Sequence, residues 1–170
     1  MTNNDLLFKI HTIFNHTTLE MLEIFALAEQ IVTEAQLNAW ILKSDEAGSQ
    51  PCDDKSLETF LNGYIVHKRG PSDKGIPALS IKLNNNIIFT KLKIALNLKA
   101  EDLIAHFEIA GLELSKHEIS AFFRKPANKH YKKCTSQTLA CFMKGVTLKN
   151  STIPKPLQDV RFRTAEQFMI

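Results

Sequence analysis

No stretch of this sequence could span a bilayer, because its longest apolar runs are interrupted every few residues. The start, Met1-Thr2-Asn3-Asn4-Asp5, has no basic segment leading into an apolar one, which argues against a signal peptide. Cysteine is scarce: there are three, an odd number that suits reduced thiols in the cytoplasm better than a disulfide framework. Glycine is also scarce, and none of it forms a phosphate-cradling loop. A nucleophile elbow and a zinc-protease His-Glu pattern are absent too. The histidines at 11, 16, 67, 106, 117 and 130 are scattered. These absences leave no catalytic residue, cofactor or metal ligand to assign, and they favour a non-enzymatic protein. Disorder is disfavoured as well, since 44% of the residues are hydrophobic and 23% charged.

What is present is a repeat. Asn3-Asn4 returns as Asn85-Asn86, Cys52 as Cys134 and Gly63 as Gly145, all at an offset of 82 residues. Register kept over roughly 65 residues marks a duplicated structural unit. The expected fold is all-α: two tandem copies of a four-helix unit, each with a helix-turn-helix-like central pair, packed together. The expected boundaries are 1–68 for the first repeat, 69–83 for a linker, 84–150 for the second repeat and 151–170 for a C-terminal tail. Each copy alone would bury only a modest fraction of its surface, which is why the two should share an interface.

Local signals place the helices. In copy one, Asn4 is a candidate cap for a helix through Phe14 that carries Leu6, Leu7, Ile10 and Ile13. Thr17 with Glu20 forms a capping box, opening a helix with Leu19, Leu22, Ile24, Phe25 and Leu27. Thr33 with Gln36 repeats the pattern ahead of Leu37, Trp40 and Ile41, and Asp53 and Asp54 suit the start of a last helix. Copy two follows the same plan, with Ser115 and Glu118 capping a helix read as Ser115–Lys125. Gly70-Pro71, Gly75 and Pro77 break helices between the copies. The tail contains Pro154 and Pro156, and reads either as a flexible segment or as an arm that docks on a neighbour.

Charge separates the copies. Residues 1–68 hold 4 Lys/Arg against 10 Asp/Glu, a net of −6, while residues 84–150 hold 11 against 5, a net of +6. Such asymmetry points to polyanion binding, to charge-guided association, or to halves that attract each other. In copy two the outward positions of the central pair are Lys116, His117, Ser120 and Arg124, followed by Lys125, Lys129, His130, Tyr131, Lys132 and Lys133. Cations with an interleaved aromatic ring suit phosphates and a stacked base, so these ten residues are the candidate DNA- or RNA-binding surface. Two helices joined by a turn are common in helical proteins, so a solvated basic face or a protein-binding face stays open. The alternative partner is another protein or a second copy, met through charge complementarity between repeats.

Cys134 and Cys141 lie near His130, yet no close Cys pair or matching His pair exists, so buried structural thiols are the simpler reading. Gly63 and Gly145 read as points of close helix approach. Trp40 matches Phe122 by offset and reads as core or as part of a repeat interface.

Several segments carry a resemblance: Glu23-Ile24-Phe25-Ala26-Leu27, Phe60-Leu61-Asn62-Gly63, Leu83-Asn84-Asn85-Asn86-Ile87-Ile88 and Ser120-Ala121-Phe122-Phe123-Arg124-Lys125-Pro126. Together they closely resemble the YehS-like family of small bacterial proteins built from a duplicated domain of unknown function. The resemblance covers about residues 1–150. It implies a helical, duplicated, cytoplasmic bacterial protein, and it implies no reaction. Asn85, Asn86, Phe122, Phe123, Arg124 and Lys125 are its motif residues here, with helix capping the simplest role for the asparagines.

Overall fold

Short polar side chains set where the helices begin. The computed structural model describes residues 1–43 and 45–151. In the first repeat, α1 spans Asn3–Ile13, α2 Thr18–Leu27, α3 Glu34–Ile41 and α4 Asp54–Arg69. In the second, α5 spans Asn85–Ala95, α6 Ala100–Ile109, α7 Lys116–Ser120 with a 3₁₀ turn Ala121–Phe123, and α8 Ser136–Ser151. Each helix starts 82 residues after its counterpart, and no strand occurs among the described residues. The chain is therefore all-α with two tandem four-helix repeats. No helix among the described residues is long and apolar enough to cross a membrane. The tail reading concerns residues that, from 152 onward, lie outside the described ones.

Capping boxes at Thr17–Glu20 and Ser115–Glu118 open α2 and α7, and Asp53 accepts the Ser56 N–H at the start of α4. Each such cap contributes about 1 kcal/mol by satisfying an amide that the helix leaves unpaired. The recurring asparagine does something else. Thr2 caps α1 through a box with Asp5, and Asn84 caps α5, so Asn4 and Asn86 lie inside their helices. Their buried amides reach across the repeat. Asn4 Oδ1 accepts the Cys52 N–H at 2.8 Å and its Nδ2 donates to the Gln50 carbonyl at 2.7 Å. Asn86 accepts the Cys134 N–H at 2.9 Å and donates to the carbonyls of Lys132 and Phe122. A cap would have satisfied its own helix; this amide instead ties the loop before the last helix to the first.

The same ties explain the cysteines. Cys52 and Cys134 are buried beside them, and burial pushes each thiol up to about 12. At neutral pH both are protonated and poorly nucleophilic.

One apolar cluster runs through both repeats. Trp40 packs on Phe25, and Phe122 on Phe89. Leu19 and Leu27 are exposed, because Met21, Ile24 and Phe25 take the inward face of α2 and the helical turn carries those leucines away from it. After α1 and α5 the chain turns through left-handed Asn15 and Asn97, and after α2 and α6 through left-handed Glu29 and Gly111.

The repeats meet mainly where α4 packs along α5. A buried polar node sits there. Lys91 of α5 donates to Asn62 Oδ1 at 2.6 Å and stands 3.6 Å from the Glu58 carboxylate, both on α4. Glu58 also accepts the Ser80 N–H and hydroxyl, and Asn62 donates to the Pro77 carbonyl. The segment between the repeats is thus bonded to α4 over residues 77–80.

Candidate functional site

The candidate basic surface is built by α7 and the loop that follows it. Ile119 and Phe122 turn inward, leaving Lys116, His117 and Ser120 exposed. The α-helix ends at Ser120 and the 3₁₀ turn at Phe123, short of the Lys125 expected from sequence. Pro126 disfavours helical geometry at Lys125, and the backbone is already extended at Arg124, with ψ 161°. The second helix of the central pair is accordingly too short to lie along a major groove, and Arg124 and Lys125 belong to the loop.

That loop folds back on the helix. The Asn128 N–H donates to the Lys125 carbonyl, the Tyr131 N–H to that of Asn128, and the Lys132 N–H to that of Ala121, at 2.9, 3.0 and 3.0 Å. Asn86 holds both sides of the fold, bonding Phe122 and Lys132. As a result the His130 ring stands 6.3 Å from the His117 ring, and the Lys132 ammonium lies 5.6 Å over Phe122. Lys125, Lys129, His130, Lys132 and Lys133 are exposed, while Arg124 and Tyr131 are half-buried. The Arg124 Nε has no hydrogen-bond partner among the described residues.

One carboxylate interrupts the surface. Its cap bonds to Ser115 hold Glu118 below the usual carboxylate range, and Lys132 and His117 lower it further. No ion pair links a cation of this surface to a carboxylate of the first repeat among the described residues, so the charge of this surface is not consumed between the halves, unlike that of Lys91. The positions equivalent to Lys116, His117, Ser120 and Arg124 are Glu34, Ala35, Asn38 and Leu42. The surface is therefore confined to the second repeat.

The structure also assembles a cluster that sequence reasoning treated as scattered histidines. Buried His16 shares a 2.9 Å hydrogen bond with the Tyr64 hydroxyl, and the His67 ring stacks on Tyr64. The Lys68 ammonium lies over both Phe14 and Tyr64. Copy two has Leu98 and Val146 at the positions of His16 and Tyr64, so a histidine where the repeat expects leucine was the available signal.

Burial lowers the His16 pKa; Glu20 opposes the shift, and Lys68, His67 and His11 reinforce it. Because the folded value lies below the unfolded one, the unfolded chain binds more protons in that interval. The stability is complete above about pH 6.5, the ordinary histidine value, and falls as pH drops toward the lowered one. Thermal melts should therefore show a drop in Tm between pH 7.5 and 5.5 that shrinks in His16→Leu/Tyr64→Phe. An unchanged drop in that variant would assign the acid sensitivity elsewhere.

Comparison with known proteins bears on both repeats. The family model described as "Protein of unknown function (DUF1456)" matches twice, over residues 3–70 and 85–151. The chain is 37% identical over 148 residues to the "Uncharacterized protein YehS" of Escherichia coli (strain K12), an alignment covering 86% of this chain and 94% of that one. No solved structure matches significantly.

Proposed function

The chain belongs to the DUF1456 family, and on that premise we propose that it is a non-enzymatic binding protein whose second repeat holds nucleic acid by its phosphate backbone. The observation that supports this reading is the loop folded back toward α7, with Lys125, Lys129, Lys132 and Lys133 exposed on it, as are Lys116 and His117 on α7. Arg124 adds a guanidinium at its edge and Tyr131 a half-exposed ring. With so short a helix, base edges in a major groove are out of reach, so the recognition is sequence-tolerant and favours single strands or loops.

Such binding is dominated by counterion release. If four phosphates are neutralised, affinity for a fluorescent single-stranded RNA should fall about 50-fold between 50 and 200 mM salt. Lys129→Glu/Lys133→Glu is the informative variant, since both side chains are exposed and Lys132, which packs on Phe122, is spared. Binding should drop at least about 100-fold. Retained affinity in that variant, or no binding of DNA or RNA at low salt, would overturn the reading.

A second reading rests on the opposite charges of the two repeats, which leave an acidic surface able to meet the basic face of another copy or another protein. In that case light scattering of the chain alone should show a larger mass at low salt that falls to the monomer as salt rises.

A further inference from the structure

The duplication creates two equivalent places where the repeats can meet, and they are not in the same state. By the 82-residue offset, the counterpart of α4 against α5 is α8 against α1. The first pair is closely packed, whereas α8 and α1 touch only lightly. Between them runs an open groove of about 900 Å³.

Residue by residue, the groove is the closed interface with its filling taken out. Lys9 corresponds to Lys91, but Glu58 is replaced by Ala140 and Asn62 by Lys144. Glu58 and Asn62 are 2% and 1% exposed, while Ala140 and Lys144 are exposed. Lys9 therefore lacks the carboxylate that Lys91 has and gains a second ammonium, and Lys43 adds a third on the groove wall. None of the three ammoniums forms an ion pair among the described residues. Beside them lie Phe8, 36% exposed, together with Ile13 and Leu148. In the closed interface, a non-helical stretch of chain, Pro77 to Ser80, bonds to α4 at the corresponding place.

We propose that the α1/α8 groove docks an extended acidic peptide of a partner protein. One carboxylate enters between Lys9 and Lys144, as Glu58 meets Lys91, and an aliphatic side chain covers Phe8 and Leu148. Asp5 and Asp45 also line the groove. They repel a continuous phosphate backbone and tolerate a single carboxylate placed among the lysines, which separates this site from the basic face of the second repeat. A free inorganic anion would leave the apolar wall unused.

Fluorescence anisotropy with labelled acetyl-Leu-Asp-Leu-Glu-Leu-amide tests this on the full chain. Ala140→Glu introduces a carboxylate where Glu58 stands in the closed interface, at an exposed helical position that tolerates it. Peptide binding should weaken at least tenfold, and Lys9→Gln/Lys144→Gln should do the same. Lys129→Glu/Lys133→Glu should leave it within twofold, so the groove and the basic face fail or survive separately. The proposal is overturned if the peptide does not bind or if the Asn/Gln version binds equally well. It is also overturned if Ala140→Glu changes nothing, or if light scattering shows a dimer that Ala140→Glu dissolves, which would make a second copy the occupant.

Discussion

Alanine at Gly63 or Gly145 should lower the stability of the protein by about 3 kcal/mol or more, although alanine is the better helix former. On an exposed helix the exchange would be worth up to about 1 kcal/mol in the other direction. The sign reverses because a Cβ at Gly63 would collide with the Ile24 carbonyl of α2, and one at Gly145 with the His106 carbonyl of α6. Both obstacles are backbone, so no rotamer change relieves them. The helices would have to separate along their length, opening contacts to Phe25 and Phe60 in one repeat and to Phe107 and Phe142 in the other. Against a total of about 5–15 kcal/mol for a domain of ordinary stability, that is a large share. Urea denaturation measures it: the midpoint should fall sharply with little change in slope. A Gly63→Ala protein with an unchanged or higher midpoint would show that α4 does not lie this close to α2.

Removing one partner of the Lys91–Glu58 pair should be the other large loss. Lys91→Met leaves Glu58, 2% exposed, with hydrogen bonds from Ser80 and no cation beside it among the described residues. An uncompensated buried charge of this kind costs about 3–5 kcal/mol. Burial pulls the Lys91 pKa down and Glu58 acts against that shift, so the lysine's charge is favoured by the carboxylate beside it. Glu58→Gln/Lys91→Met should recover at least half of the loss, because glutamine can still accept the Ser80 N–H without a charge to strand. A double-mutant cycle on denaturation free energies should give a coupling of about 2 kcal/mol. Additive single and double effects would mean that the pair is held apart by water, and that α4 and α5 are joined by apolar packing alone.

Much of the architecture was legible because it is encoded locally. Thr17, Ser115 and Asp53 announce helix starts through amides three residues away, and the offset of 82 residues carries one repeat's pattern onto the other. Reading failed where a side chain acts at long range. Asn4 has the chemistry of a cap, but Thr2 takes that role and Asn4 serves a loop 46 residues away. The helix through Lys125 was over-extended because its apolar spacing continues to Phe123 while Pro126 has already ended the α-helix. The histidine cluster escaped notice because His16 and Tyr64 are 48 residues apart and meet only after α1, α2 and α4 pack.

By itself the sequence determined that the chain is helical, that it is built twice, and that charge divides the two copies. Those properties depend on residues within a turn or two of one another, or on composition summed over a segment. Tertiary structure alone decided which asparagines tie loops rather than cap helices, and which lysine lies half-buried against a buried carboxylate. It also decided that the basic loop folds onto α7. The same holds for the two interfaces that the duplication makes equivalent. One closes around Glu58, Asn62 and Lys91, and the other stays open around Ala140, Lys144 and Lys9. The repeat pattern names both places alike, and the difference arises only when helices distant in sequence meet and either bury a compensated charge or leave it in water.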